Sequence, residues 1–142
     1  MKPPDTGEIQ HYFNHDANVG IIGRGETIEI CFADAAKLMF ALMTDVSKIH
    51  FIQIITFEFE EDNTEDALIT WLNLLLDKAK SHHLIFGDFR LKREGNIWKA
   101  TVSGQKNDTV NDRVMDVKGA IPDELSVMKI NYGWEVRCVV TV

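Results

Sequence analysis

The sequence predicts an α+β fold: a single domain in which a mixed β-sheet carries two main helices. Two segments have apolar residues at helical spacing, the predicted strands outnumber those helices, and no linker, repeat or low-complexity tract divides the chain. A chain of 142 residues with 45% hydrophobic content is long enough for one buried core. We expect residues 1–7 to form a polar N-terminal tail and residues 8–142 to form the domain.

The first part of the chain predicts two short strands followed by a helix. Residues 8–14 and 19–24 are β-like runs. Thr27 is a suitable N-cap, because a short hydroxyl can accept a backbone N–H from the first helical turn. The helix should end near Thr44-Asp45. Its apolar face is predicted to contain Ile28, Cys31, Phe32, Ala35, Leu38, Met39 and Leu42.

A third strand and a second helix follow. Residues 52–59 are rich in β-branched and aromatic side chains and alternate in polarity towards their end, which is typical of a half-buried strand. We expect Thr64 to cap the second helix. The buried face of that helix is predicted to contain Leu68, Trp71, Leu72, Leu75 and Ala79.

The second half of the chain is dominated by predicted strands. The polar, glycine-containing segment 92–96 is a hairpin signal between the first two of them. A polar loop over residues 105–112 comes next. The predicted strands are residues 84–91, 97–104, 114–121, 126–130 and 134–142.

Composition narrows the class of protein. The net charge of −7 disfavours nonspecific attraction to nucleic acid phosphates and fits a protein or a cation as partner. The alternative is that this acidity serves solubility alone. No run approaches the roughly 18 apolar residues of a membrane span. Cys31 and Cys138 lie in apolar patterns, so we expect buried thiols, as in a reducing cytosol.

One polar turn is a candidate site. His15-Asp16-Ala17-Asn18-Val19-Gly20 lies between two predicted strands. Asn and Asp often bond their own backbone in such turns, so a purely structural role is one interpretation. His15 alone does not predict a metal site, because no second histidine or cysteine lies at ligand spacing.

This turn is followed by Phe32-Ala33-Asp34-Ala35-Ala36 and by Leu42-Met43-Thr44-Asp45. In this order the three segments resemble the archease family, small acidic proteins that assist an RtcB-type RNA ligase. The resemblance implies an archease-like domain and a cytoplasmic accessory protein that is not an enzyme. It would promote guanylylation and multiple turnover of the ligase in tRNA splicing or RNA repair. Neither direct nucleic acid binding nor a membrane role is expected.

The resemblance also implies a divalent metal, calcium, bound at positions 18, 141 and 142. The family has aspartates at the first two positions, whereas this chain has Asn18 and Thr141. The terminal carboxylate of Val142 could still supply one charge. Because the number of charged ligands tunes calcium affinity over several decades, we expect weak binding or none.

A functional surface is implied around the same turn, comprising His15, Asp16, Asp45 and Lys118. The alternatives are an exposed acid after a helix for Asp45 and a solvent-facing strand lysine for Lys118. Leu74 and Asp123 replace a glutamate and a histidine of the family pattern. A second hypothesis is therefore a diverged archease-fold module that binds protein but has lost the metal site and ligase activation.

Overall fold

The computed structural model describes residues 9–107 and 115–142. Within them two α-helices, a short 3-10 helix at Val46–Lys48 and seven strands are formed. The helices are α1 (Ile28–Ala41) and α2 (Thr64–His82). The strands are β1 (Tyr12–His15), β2 (Asn18–Gly25), β3 (Gln53–Glu60), β4 (Leu84–Glu94), β5 (Ile97–Lys106), β6 (Gly119–Ile130) and β7 (Gly133–Thr141).

The strands form two sheets rather than one. A four-stranded sheet has the order β1-β2-β7-β6, and a three-stranded sheet has the order β3-β5-β4. The α+β class and the two packed helices are confirmed, but every described strand pair is antiparallel, so the expected mixed sheet is corrected. Two-residue turns join β1 to β2, β4 to β5 and β6 to β7, and such short connections allow only antiparallel neighbours.

Helix α1 begins as its sequence predicts. The Thr27 hydroxyl accepts the N–H of Ile30 at 3.1 Å, which confirms the cap. The helix ends at Ala41, slightly before the expected Thr44-Asp45. It packs against β2 and β7 of one sheet and β4 of the other, so α1 joins the two sheets through the core.

The N-cap of helix α2 lies one residue before the predicted one. Asn63 is the N-cap in place of Thr64, and its side-chain oxygen accepts the N–H of Asp66 at 2.9 Å. The predicted burial of Trp71 and Leu72 is confirmed. The Trp71 indole donates to the carbonyl of Phe32 at 2.9 Å, which ties α2 to α1.

Aromatic side chains fill the centre of the core. The rings of Phe32 and Trp98 stack at 5.0 Å between centroids, and Phe59 lies 5.9 Å from Trp98 on the sheet side. Cys31 and Cys138 are both buried free thiols, as predicted. Burial raises the pKa of Cys138 to about 12, so this thiol is protonated and contributes as an apolar side chain.

Strand β6 corrects a further prediction. The sequence pattern predicts two strands at 114–121 and 126–130, but the structure forms one strand with an irregularity between Ile121 and Ser126. Position 114 and the predicted tail at 1–7 lie outside the described residues. No helix in the described part of the chain is both long enough and apolar enough to cross a membrane.

Candidate functional site

One end of the four-stranded sheet brings several predicted site residues together. His15 pairs with Asn18 across β1 and β2, and Thr141 pairs with Gly119 across β7 and β6. Because Val19 pairs with Val140, Asn18 and Thr141 lie next to each other between these pairs. We call His15, Asn18, Thr141 and Gly119 the polar row. It crosses all four strands.

Hydrogen bonds connect the members of this row. The side-chain oxygen of Asn18 accepts the backbone N–H of Val142 at 3.3 Å. The Thr141 hydroxyl donates to the carbonyl of Gly119 at 3.3 Å. The backbone N–H of Lys118 donates to the carbonyl of Thr141 at 2.8 Å. The two side chains at the positions where the family resemblance implies metal ligands are thus bonded to neighbouring backbone.

Asn73 attaches the row to helix α2. Its amide nitrogen donates to the carbonyl of Ala120 at 3.1 Å, and its amide oxygen accepts the N–H of Ala120 at 2.8 Å. Asn73 therefore completes the hydrogen bonding of an edge-strand residue, as a neighbouring strand would. Nothing in the sequence pattern identifies Ala120 as the partner of Asn73.

A second connection joins the two edges of the sheet. His15 Nε2 lies 3.2 Å from Asp123 Oδ2. Their strands, β1 and β6, are three strand spacings apart, about 14 Å in a flat sheet. The irregular part of β6 must therefore lean across the sheet face towards β1. Glu124 in this segment and Asp16 in the β1–β2 turn both have left-handed backbone, with φ of 52° and 55°.

Asp45 occupies a different environment from the row. Its carboxylate caps the short 3-10 helix, accepting the hydroxyl of Ser47 at 2.6 Å and the N–H of Ser47 at 3.1 Å. These hydrogen bonds hold the pKa of Asp45 below its ordinary value of 3.8. No hydrogen bond among the described residues connects Asp45 to the polar row, so the structure gives it a local capping role.

Lys118 and Leu74 line a groove beside the row. The groove has a volume of about 870 Å³ and lies between α2, the end of α1 and the segment before β6. Met43, two residues before Asp45, lines it as well. Leu74, the residue that replaces a glutamate of the family pattern, is half-buried here. Lys118 is exposed at the rim.

The sequence matches the Archease protein family (MTH1598/TM1083) over residues 11–142. This chain belongs to the archease family. It is 31% identical over 134 residues to the archease of Sulfolobus acidocaldarius, which covers 92% of this chain and 96% of that protein. The archease of Pyrococcus furiosus is 34% identical over 96 residues, which is 68% of this chain and 67% of that protein.

Two solved structures share the fold. Protein 1598 of Methanobacterium thermoautotrophicum aligns with a TM-score of 0.78 at 20% identity, covering 93% of this chain and 97% of that one. A Thermotoga maritima protein described as an archease and possible chaperone aligns with a TM-score of 0.65 at 17% identity, covering 95% and 98%. These likenesses establish the α+β archease fold.

The side chains of this archease do not fit the calcium site that the family resemblance implies. Calcium takes several oxygen ligands, and charged carboxylates tune its affinity. Asn18 and Thr141 offer neutral oxygens that are already hydrogen-bonded. Over residues 9–107 and 115–142, no group of three or more His, Cys, Asp or Glu side chains is placed to hold a metal ion.

Proposed function

We propose that this archease is a non-enzymatic accessory protein of an RtcB-type RNA ligase, acting in the cytoplasm. It docks on the ligase, promotes guanylylation of the ligase's active-site histidine and so permits multiple turnover in tRNA splicing or RNA repair. The observation that carries the proposal is the family match over residues 11–142. The description of the Thermotoga maritima relative as a possible chaperone agrees with action on another protein.

The polar row and its surroundings are the surface we propose for docking. His15 and Asp123 form an exposed hydrogen-bonded pair, and Lys118 projects beside the groove. Charged groups at the rim of an interface steer association and fix the register of the partners. The overall charge of −7 favours a basic patch on a protein over RNA phosphates. The ligase alone then contacts the RNA.

The test is RNA ligation under multiple-turnover conditions. The RtcB-type ligase of the same organism is incubated with excess RNA ends, GTP and defined metal, with and without this protein. We expect several products per ligase only when the protein is present, and no product from the protein alone. Ligation limited to one product per ligase in both reactions, with an active ligase, would refute the proposal.

Variants identify the surface. Lys118→Ala should reduce stimulation by about tenfold if the lysine contacts the ligase, which corresponds to about 1.4 kcal/mol. Asp45→Ala should also reduce stimulation without unfolding the domain if this carboxylate contacts the ligase in addition to capping the 3-10 helix. Asp62→Ala is a matched control, because Asp62 is an exposed acid outside this surface. Full stimulation by Asp45→Ala would remove Asp45 from the mechanism.

One observation favours a second candidate, a protein-binding module that no longer activates the ligase. Asn18 and Thr141 remove two negative charges from positions where the family has aspartates. If activation depends on those charges, this chain keeps the fold and loses the activity. Affinity capture that recovers a defined partner other than the ligase, together with unstimulated ligation, would establish this alternative.

A further inference from the structure

The ends of several strands must be held together at the polar row. The start of β2, the end of β7 and the start of β6 meet there. A divalent cation can join such segments by accepting oxygen ligands from each. In this chain the same segments are already joined by direct hydrogen bonds, from Val142 to Asn18, from Thr141 to Gly119 and from Lys118 to Thr141.

A cation would gain little at this place, because Asn18 and Thr141 offer it neutral oxygens. The Thr141 hydroxyl donates to the Gly119 carbonyl and carries no charge that would favour a cation over this hydrogen bond. The oxygen of Asn18 carries no net charge to offset dehydration of the ion. Asp123, a carboxylate that reaches back towards the row, is paired with His15.

Helix α2 is hydrogen-bonded to strand β6 next to the polar row. Asn73 bonds both backbone groups of Ala120, the residue that follows Gly119. A Cβ added at Gly119 would lie 3.2 Å from the Asn73 amide oxygen, so this glycine lets the helix side chain approach the strand closely. The position of the β6 start is thus fixed by protein groups on two sides.

We propose that hydrogen bonds within the polar row replace the divalent cation of the family pattern, so that this end of the domain is formed without metal. Asn18 and Thr141 are then the residues that make the arrangement metal-independent, rather than weakened metal ligands. Docking through this surface requires no resident calcium. The inference concerns the isolated domain, and it holds whether or not the ligase is stimulated.

The test is thermal unfolding of the full chain in calcium chloride and in EDTA. We expect the Tm of the wild-type protein to agree in the two buffers within about 1 °C. Asn18→Ala should lower Tm by about 3 °C equally in both, the size of one lost hydrogen bond in a domain of this length. Isothermal titration with calcium chloride should give no saturable heat for either protein.

A matched variant restores the charges. Asn18→Asp/Thr141→Asp should have a lower Tm in EDTA, because two carboxylates face the row unneutralised, and calcium should raise it by several degrees. A comparable rise by calcium in the wild-type protein would overturn the proposal. An unchanged Tm for Asn18→Ala would do so too, because the Asn18 bond would then not hold the strand ends.

Discussion

Replacing Asn73 by alanine should destabilise the domain more than a typical polar substitution. The change removes two hydrogen bonds to the peptide groups of Ala120, a residue that is only 6% exposed. A lost hydrogen bond costs about 1 kcal/mol, and a buried group left unpaired costs about 1–3 kcal/mol. We therefore expect Asn73→Ala to lower the free energy of unfolding by about 2–4 kcal/mol.

For a chain of 142 residues the entropy of unfolding is about 0.3 kcal/mol per degree, so Tm should fall by about 7–13 °C. Urea unfolding followed by the fluorescence of the buried Trp71 and Trp98 measures the free energy directly. Asn73→Asp keeps an acceptor but no donor and should also destabilise. Lys80→Ala, an exposed change on the same helix, is the control. A loss below about 0.5 kcal/mol for Asn73→Ala would refute the reasoning.

Three further predictions concern other parts of the domain. Hydrogen bonds from Ser47 lower the pKa of Asp45, so the stabilisation from this carboxylate is complete above its ordinary value of 3.8 and is lost as pH falls through the lowered pKa. Ser47→Ala should return the Asp45 pKa towards 3.8 in an NMR titration, and an unchanged pKa would contradict this. Gly20→Ala would place a Cβ inside the van der Waals envelope of the Phe13 ring and should cost about 1–3 kcal/mol in urea unfolding. Replacing the Phe13 ring by the smaller leucine side chain in the double variant Gly20→Ala/Phe13→Leu should recover part of the lost free energy of unfolding. No recovery would contradict a clash between the new Cβ and the ring. Because burial raises the pKa of Cys138 to about 12, Ellman's reagent should label it at pH 8 only after unfolding, and prompt labelling of the folded protein would be inconsistent with a buried thiol.

Local signals predicted where the helices begin better than which strands pair. The Thr27 cap was predictable because capping involves only atoms a few residues apart. At α2 two short polar residues, Asn63 and Thr64, stand side by side, and the sequence does not decide between them. Strand pairing depends on contacts such as Arg24 with Glu135, 111 residues apart in sequence. The periodicity of a segment carries no information about which strand it pairs with. For this reason the sequence predicts one mixed sheet, whereas the structure has two antiparallel sheets.

The site was predictable only in part for a similar reason. Family resemblance indicated the positions of Asn18 and Val142, and the structure does bring them into contact. The contact of His15 with Asp123 depends on how the irregular part of β6 leans across the sheet, where the sequence pattern predicts a gap between two strands. The bonds from Asn73 depend on how α2 packs against β6. The packing of a helix against a strand depends on side chains throughout the core, so no short stretch of sequence predicts it.

The pairing of β2 with β7 has a consequence for how the chain folds. The three-stranded sheet and both helices come from the middle of the chain, and the β4–β5 hairpin closes over two residues. The four-stranded sheet needs β7 to reach β2, so its formation closes a long loop and must be slow relative to the hairpin. During synthesis, the edge of β2 that pairs with β7 therefore has no partner until β7 has been made. Premature release or delayed completion of β7 would expose that edge to aggregation, and the surface proposed for docking would be the last part of the molecule to form.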